Sequence, residues 1–418
     1  MSVSRKLPSV AIIGAGIGGL TLYSALRQNK GFKKVKVFDQ AAAFSPTSGA
    51  GFGLSPNGQM CLKSIGINCQ EILHPFHSMV RLDKRGNVKV SSNVFENIMS
   101  KYGFGISGCL RADLIQTLSE KAGDDLKYSH KLINIEDDTR SVKVSFENGY
   151  KDHFDVVIGS DGINSTVAEK LNIDKSPPVY SNANIFYGVI PDPDHIGFCN
   201  PVLKDSNHKV IQGTGTGEFI MFNCGPKDRQ VLVWANTYVS NCAPNRNEEW
   251  ARVGETNADL SNVLKRYPSE HPIHEVALLT DPERLLHFGL HYRKHKYTWS
   301  NNSRVTLMGD ACHATLPYVG QGANQDIEDA IVLAKSLESL PHDQAFKNFY
   351  QERYKRTKRI VQMAGALDKL YHSNNVFTRG ALDLLLTSVA KGGFVFKQLE
   401  KEIVEECPVD YKLFQTEK

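Results

Sequence analysis

The chain has no C-x-x-C pair. Its eight cysteines (61, 69, 109, 199, 224, 242, 312 and 407) are scattered through 418 residues, which argues against a zinc ribbon or a dithiol redox motif. It also has no run approaching the ~18 consecutive apolar residues of a membrane helix, so no membrane anchor is expected. Charge of one sign is not in excess: 49 basic against 45 acidic residues, net +4, provide no nucleic-acid footprint and no disordered tail. Repeats and low-complexity tracts are absent as well. What remains is an ordinary globular composition, 41% hydrophobic with 33 glycines. The length suggests two or three domains and a core that needs no disulfide staples. A reduced, cytoplasmic protein follows from the scattered thiols. Arg5 and Lys6 ahead of Val10–Gly16 resemble the start of a signal peptide, but the glycine motif that follows displaces that reading.

The local patterning is mixed. Leu7–Ile13 reads as a strand, Ile17–Gln28 as a helix and Val35–Phe38 as a second strand, a β-α-β unit. Asp155–Gly159 and Arg304–Gly309 read as further strands, each closed by a glycine. Between them Asn184–Ile190, Lys209–Gln212, Glu218–Asn223 and Gln230–Thr237 read as strands joined by Gly, Pro and Asp turns, a β-rich insertion. After Asn324 the pattern is helical, with Phe346, Phe349, Tyr350, Tyr354, Ile360, Val361, Ala364 and Leu367 at three- and four-residue steps. Arg353, Lys355, Arg356, Lys358 and Arg359 on that helix are expected on a solvated face, or in part at a nucleotide phosphate.

Gly14-Ala15-Gly16-Ile17-Gly18-Gly19 fits G-x-G-x-x-G between a strand and a helix. Gly14 permits the tight turn, Gly16 lets the backbone approach a pyrophosphate, and Gly19 allows close helix–strand packing. The phosphates would rest on the positive helix N-terminus. Asp39 ends the second strand 20 residues beyond Gly19, placed to accept from ribose hydroxyls. By contrast, Gly213-Thr214-Gly215-Thr216-Gly217 precedes a strand-like run, which predicts a hairpin turn and not a second nucleotide site.

Four further segments carry a resemblance. Asp155 through Asp161-Gly162 to Ser165 is similar to the DG motif of flavin-dependent aromatic hydroxylases, and Gly309-Asp310-Ala311-Cys312-His313 through Pro317 and Gly320-Gln321-Gly322-Ala323-Asn324 to their GD motif. Leu110-Arg111-Ala112-Asp113-Leu114 resembles the arginine segment between them, and Gly49–Gly58, including Gly53, the loop after the second strand. In this order they resemble the single-component class A flavoprotein monooxygenases, with the salicylate-hydroxylase-like branch nearest.

The resemblance implies an α/β fold: a glutathione-reductase-like, FAD-binding Rossmann domain interrupted by a β-sheet substrate domain (p-hydroxybenzoate-hydroxylase-like), with a helical C-terminal tail. Residues 1–75, 103–178 and 285–365 would form the FAD domain, 76–102 and 179–284 the substrate domain, and 366–418 the tail. FAD would be held by the six residues of the glycine loop with Asp39, Gly53, Arg111, Asp161, Asp310, Gly320, Gly322, Ala323 and Asn324. Asp310 would meet a ribityl hydroxyl or act as a helix N-cap. Arg111 would neutralise the pyrophosphate or pair with Asp113 or Asp155. Gly320 and Gly322 leave backbone N–H groups for the reduced flavin. Pro317 would face its oxygen-reactive edge, and His313 is expected to be a hydrogen-bonding scaffold; no metal is expected.

Two positions depart from the family pattern. Ala168 stands where a basic residue often follows the DG motif, which weakens an NAD(P)H contact there. Tyr187 stands where related phenol hydroxylases often carry an arginine, and either donates a hydrogen bond or packs. Tyr187, Phe222 and Trp234 are candidate pocket residues, with Tyr187 and Pro317 the weak catalytic candidates. The activity implied is hydroxylation, epoxidation or oxidative decarboxylation of an aromatic or other electron-rich small molecule by NAD(P)H and O2, through a flavin C4a-hydroperoxide, in a monomer or homodimer. The rivals are an FAD oxidase or dehydrogenase on the same fold and a non-enzymatic flavin-binding module. A flavin-dependent halogenase is disfavoured, because Trp234, Trp250 and Trp299 are isolated and no W-x-W-x-I-P-like segment occurs.

Overall fold

The computed structural model describes residues 6–46, 49–138, 140–171, 173, 176–191, 209–214, 217–244, 257–295, 298–301 and 303–417. Cys199, Gly215, Thr216 and Trp250 fall outside these.

Val10–Ile13 is a run of four apolar residues, every one buried. Such a continuous apolar strand suits the middle of a parallel sheet covered on both faces. It takes that place, pairing in parallel with Val35–Phe38 on one side and Val156–Gly159 on the other. Val305–Leu307 and Leu126–Lys127 complete five strands, in the order 305–307, 156–159, 10–13, 35–38, 126–127. The Ile17–Arg27 helix leaves the first strand through the glycine loop and packs against the Gly322–Ser339 helix. Two small antiparallel sheets flank this layer: 132–137, 142–146 and 151–154, and a second of 51–54, 107–110 and 73–75.

The β-rich insertion forms a seven-stranded sheet ordered 285–292, 179–191, 231–239, 218–224, 209–214, 78–82, 88–92. The edge position of Leu285–Tyr292, antiparallel to Val179–Pro191, corrects the boundary expected at residue 285: this strand belongs to the second sheet. Thr214 pairs with Glu218, so the second glycine cluster joins a hairpin, as its lack of a following helix predicts. Alternation gives the sheet two faces. Phe186, Phe219 and Trp234 point to one, where they pack with Val263, Ile273 and Val276 of two short helices. Tyr187, Ala235 and Ile220 pair side by side on the other, which turns toward the first sheet.

The helical pattern after Asn324 resolves into Gly322–Ser339, His342–Tyr371, Val376–Ala390 and Phe394–Val404. The second of these continues past the boundary expected at 365. The third lies against strands 78–82 and 88–92, and the fourth against the Pro56–Ser64 helix. Among the described residues, no helix is long and apolar enough to cross a membrane.

Candidate active site

The glycine loop shows why its spacing matters. Gly14 sits at φ +105°, open to glycine but costly for any other residue. A Cβ on Gly19 would overlap the Gly14 carbonyl oxygen, so helix and loop meet only because neither carries a side chain there. Around Gly16, the N-cap of the Ile17–Arg27 helix, a Cβ would meet nothing within 4 Å. Space and uncovered N–H groups at a helix start are what a pyrophosphate needs. Asp39 reaches back to this loop: one carboxylate oxygen accepts the Ala15 N–H at 2.7 Å and the other the Ala41 N–H at 2.8 Å.

Arg111 opens the Arg111–Ala122 helix beneath Gly49, where a Cβ would lie 2.9 Å from its Cδ. Its field is shared with Asp39, Asp310 and Asp326. Burial alone pulls its guanidinium below the usual range, and these acids oppose that. Arg111, Asp310 and Asp326 are deeply enclosed, yet each keeps accessible surface, so they border an interior space. Asp310 is the first residue of the short Asp310–His313 helix, whose N-cap is Gly309, so it is not itself the N-cap. Burial raises its carboxyl above the ordinary range, against the pull of His313 and Arg111.

Asp161 is differently employed. It accepts Ser165 Oγ at 2.6 Å and the Val167 N–H at 3.0 Å, and so folds its own loop onto the following turn. Gly162, at φ +77°, has open space where a Cβ would be. Asn324 also works through the backbone: it donates to the carbonyls of Gly53 and Gly320 and accepts the Ser55 N–H, each at 3.0 Å. It thereby ties the loop after the second strand to the start of the Gly322–Ser339 helix. Ala323 packs against the central core. Gly320, at φ +64°, is open above, and Gly322 meets only Thr315 Cγ2, at 3.8 Å. Pro317 is exposed at the head of the turn before them.

Beneath the site lies a buried ionic cluster. His313 Nε2 meets Asp329 Oδ2 at 2.6 Å, as expected of a scaffold, and the Gly309 N–H donates to the same oxygen at 2.9 Å. Arg353 Nε donates to Asp329 Oδ1 at 2.7 Å, and its NH1 donates to Glu328. Arg356 grips Glu328 through Nε at 2.7 Å and NH2 at 2.6 Å. Arg353 and Arg356 are therefore buried partners of acids, a correction to the solvated face expected for them. The helical spacing did not reveal this, because the acids stand on a neighbouring helix. Cys312, His313 and Asp329 lie within 4.8 Å of one another. Both Asp329 oxygens are already engaged, so the cluster reads as scaffold and not as a metal site.

On the opposite wall, Tyr187 stacks on Phe288 with ring centres 6.3 Å apart, and its hydroxyl is pushed upward by burial and by Glu218. Phe222 faces the same way and packs edge-on against Phe76 at 5.6 Å. Trp234 does not join them, which corrects its place among the pocket candidates. It lies on the far face, fully buried, and its indole N–H donates to Thr280 Oγ1 at 2.7 Å. Residues that the sequence left unmarked complete the wall: Glu218, Thr237, Tyr318 and Tyr371. No local motif announces them, since they come from two strands, a turn and a helix end.

A parallel sheet with a glycine-loop nucleotide cradle, facing an antiparallel sheet across acid and glycine segments, is the architecture of the flavoprotein monooxygenases. The family model described as "FAD binding domain" matches residues 8–364, and the chain belongs to this family, that of the FAD-dependent aromatic hydroxylases. It is 28% identical to a 6-hydroxynicotinate 3-monooxygenase of Bordetella bronchiseptica, over 85% of this chain and 90% of that protein. It is also 28% identical to a 6-methylsalicylate 1-monooxygenase of Aspergillus terreus, over 91% and 86%. Its fold matches Klebsiella pneumoniae HpxO, solved with FAD and uric acid, at TM-score 0.82 and 20% identity, covering 98% and 100% of the two chains.

The residues present fit FAD. Open space at Gly16 suits the pyrophosphate, enclosed Arg111 supplies positive charge, and Gly320 and Gly322 leave backbone uncovered at a second helix start.

Proposed function

We propose that this chain is an FAD-dependent monooxygenase that uses NADH or NADPH and O2 to hydroxylate an aromatic or other electron-rich small molecule. The observation that carries the reading is the pairing of two surfaces: a glycine-floored cradle on one sheet and a largely apolar, tyrosine-bearing face on the other. Bound FAD supplies the redox chemistry, taking electrons from the nicotinamide and activating O2.

The residues of the chain bind, orient and exclude water. The N–H groups at the start of the Ile17–Arg27 helix would hold the pyrophosphate, with Arg111 balancing its charge. Asp39, each of whose oxygens accepts one backbone N–H, would offer the remaining lone pairs to ribose hydroxyls, and Asp310 would accept from a ribityl hydroxyl. The backbone around Gly320–Gly322 would support negative charge developing on the ring system. Ile185, Ala235, Leu290 and Leu316 form an apolar cluster with Tyr187 and Phe288, which keeps the opposite wall dry. The described cysteines are free thiols, which supports a reducing compartment and a monomer or homodimer without disulfide links.

The test is oxygenation with isotopically labelled O2. Purified yellow protein is mixed with NADH or NADPH and a panel that includes 6-hydroxynicotinate, 6-methylsalicylate and uncharged phenols. Label in a product, in proportion to NAD(P)H consumed, is expected. Hydrogen peroxide accounting for all NAD(P)H consumed across the panel would favour an oxidase, and a flavin never reduced by either nicotinamide would favour a binding module.

A further inference from the structure

The polar end of the second wall is acidic. Glu218 begins the Glu218–Cys224 strand directly opposite Thr237, and its backbone N–H donates to Thr237 Oγ1 at 3.0 Å. It stands on the Tyr187–Ala235–Ile220 face, two residues from Ile220, and is 9% exposed. Tyr371, at the end of the His342–Tyr371 helix, is hydrogen-bonded to the Glu218 carboxylate. Tyr318 stacks on Tyr371 with ring centres 5.4 Å apart. The Tyr318 hydroxyl is buried without a hydrogen-bond partner of normal geometry, and it faces Thr237 and Asp368. A buried orphan hydroxyl beside a carboxylate calls for a ligand. Tyr187 lies within the field of the same carboxylate and keeps accessible surface despite its depth, so it borders the same interior space.

The charge at this end is decided by who already holds whom. Among the described residues, Arg81 is a cation whose charge reaches the Tyr371 hydroxyl. Its NH2 donates to Asp383 at 2.9 Å and its NH1 to Thr387 at 2.8 Å, both on the Val376–Ala390 helix. Lys89 is bound to Asp383 as well. Asp368 is met by His372 Nδ1 at 3.1 Å, so among the described residues Glu218 is the carboxylate whose field reaches Tyr187, Tyr318 and Tyr371 alike. An anionic group brought here would meet like charge at low dielectric. A phenolic O–H or ring N–H would instead donate to a carboxylate, a charge-assisted bond.

We propose that Glu218 is a specificity-determining residue, which makes the pocket select uncharged hydroxyaromatic or N–H-bearing heteroaromatic rings over aryl carboxylates. Tyr371 holds the carboxylate in place from behind. Tyr187 and Phe288 flank the ring, and the Tyr318 hydroxyl satisfies itself on a second polar substituent. The inference rests on the monooxygenase reading only for the use made of the pocket.

Two meta-substituted phenols of opposite character test it, resorcinol and 3-hydroxybenzoate, titrated into the FAD-loaded protein by calorimetry. Resorcinol is expected to bind at least about tenfold more tightly, the equivalent of 1.4 kcal/mol. Glu218→Gln keeps the shape and removes the charge, and is expected to shrink that preference by about tenfold, chiefly by improving 3-hydroxybenzoate. Tyr371→Phe, which leaves the carboxylate charged, is expected to keep resorcinol preferred. Tighter binding of 3-hydroxybenzoate to the unmodified protein, an unchanged ratio in Glu218→Gln, or no binding of resorcinol would each overturn the proposal. Binding is read without turnover. Failure of the monooxygenase reading would therefore show as missing labelled product with the probe preference intact.

Discussion

Gly16 and Gly19 are three residues apart and do different work. Gly19 is required by the protein, because its helix touches the Gly14 carbonyl. Gly16 faces open space and, on the physical argument, is required by the ligand. Gly16→Ala is therefore expected to leave the thermal midpoint of the FAD-free protein unchanged while weakening FAD retention by tenfold or more. Gly19→Ala should lower both. Flavin absorbance per protein, set beside melting of stripped protein, separates the two outcomes.

Two buried acids three residues apart respond to pH in opposite senses. Asp329, held by His313 and Arg353, has its carboxyl drawn down to about 2. Its contribution to stability is present above the ordinary 3.8 and is lost as pH falls through the folded value. Asp326 is raised well above 3.8 by burial and by Asp310 and Asp329. Its contribution is present below 3.8 and is lost as pH rises through the folded value, so it is a liability at neutral pH. Asp326→Asn should raise the melting temperature at pH 7, with the gain fading as pH falls through the raised folded value and gone below about 4. An equal gain at both ends would mean that the charge is not the cause.

Among the elements, the Gly322–Ser339 and His342–Tyr371 helices are joined by charge through a buried interface. Arg353 serves Asp329, Glu328 and Gln325 at once. Removing Arg353 leaves two buried carboxylates with one ion-pair partner each, Arg356 for Glu328 and His313 for Asp329, and breaking a buried pair costs ~3–5 kcal/mol. Arg353→Ala is expected to destabilise by that amount in urea unfolding, far beyond the ~0–1 kcal/mol of an exposed pair. Glu328 and Asp329 sit one turn beyond Asn324, which pins the Gly53–Ser55 loop, so the same substitution should also lower FAD affinity. A stability loss within the range of a surface pair would remove the cluster from this role.

For the whole molecule, FAD would lie against elements contributed by residues from 14 to 324, and binding it should stabilise the entire fold. A ligand at a hundredfold excess over its Kd adds ~2.7 kcal/mol. Stripping FAD should therefore lower the melting temperature by several degrees, at ~2–4 °C per kcal/mol for a large domain. Re-addition should restore it in a concentration-dependent way. A melting curve indifferent to FAD would contradict the assembly of the site from distant segments.

How much of this was legible in the chain follows from the range of the interactions. The central strands were readable because Val10–Ile13 and Val156–Gly159 are continuous apolar runs, and a strand buried on both faces requires that. The glycine loop and Asp39 follow a spacing that close backbone approach to a dinucleotide imposes, whereas Arg111 and Asp310 were singled out through the resemblance to the family's motifs. Strand membership at the 285 edge, the far-side placement of Trp234 and the burial of Arg353 and Arg356 were not readable. Each depends on a partner remote in sequence: Val179–Pro191 for the strand, Thr280 for the indole, Glu328 and Asp329 for the arginines. The sequence by itself determined the nucleotide-binding half of the protein, where a fixed cofactor imposes a local pattern. Tertiary structure alone decided the acidic end of the other wall. Glu218, Tyr318 and Tyr371 come together only when a strand, a turn and a helix end meet, and chain-distant contacts leave no period to read.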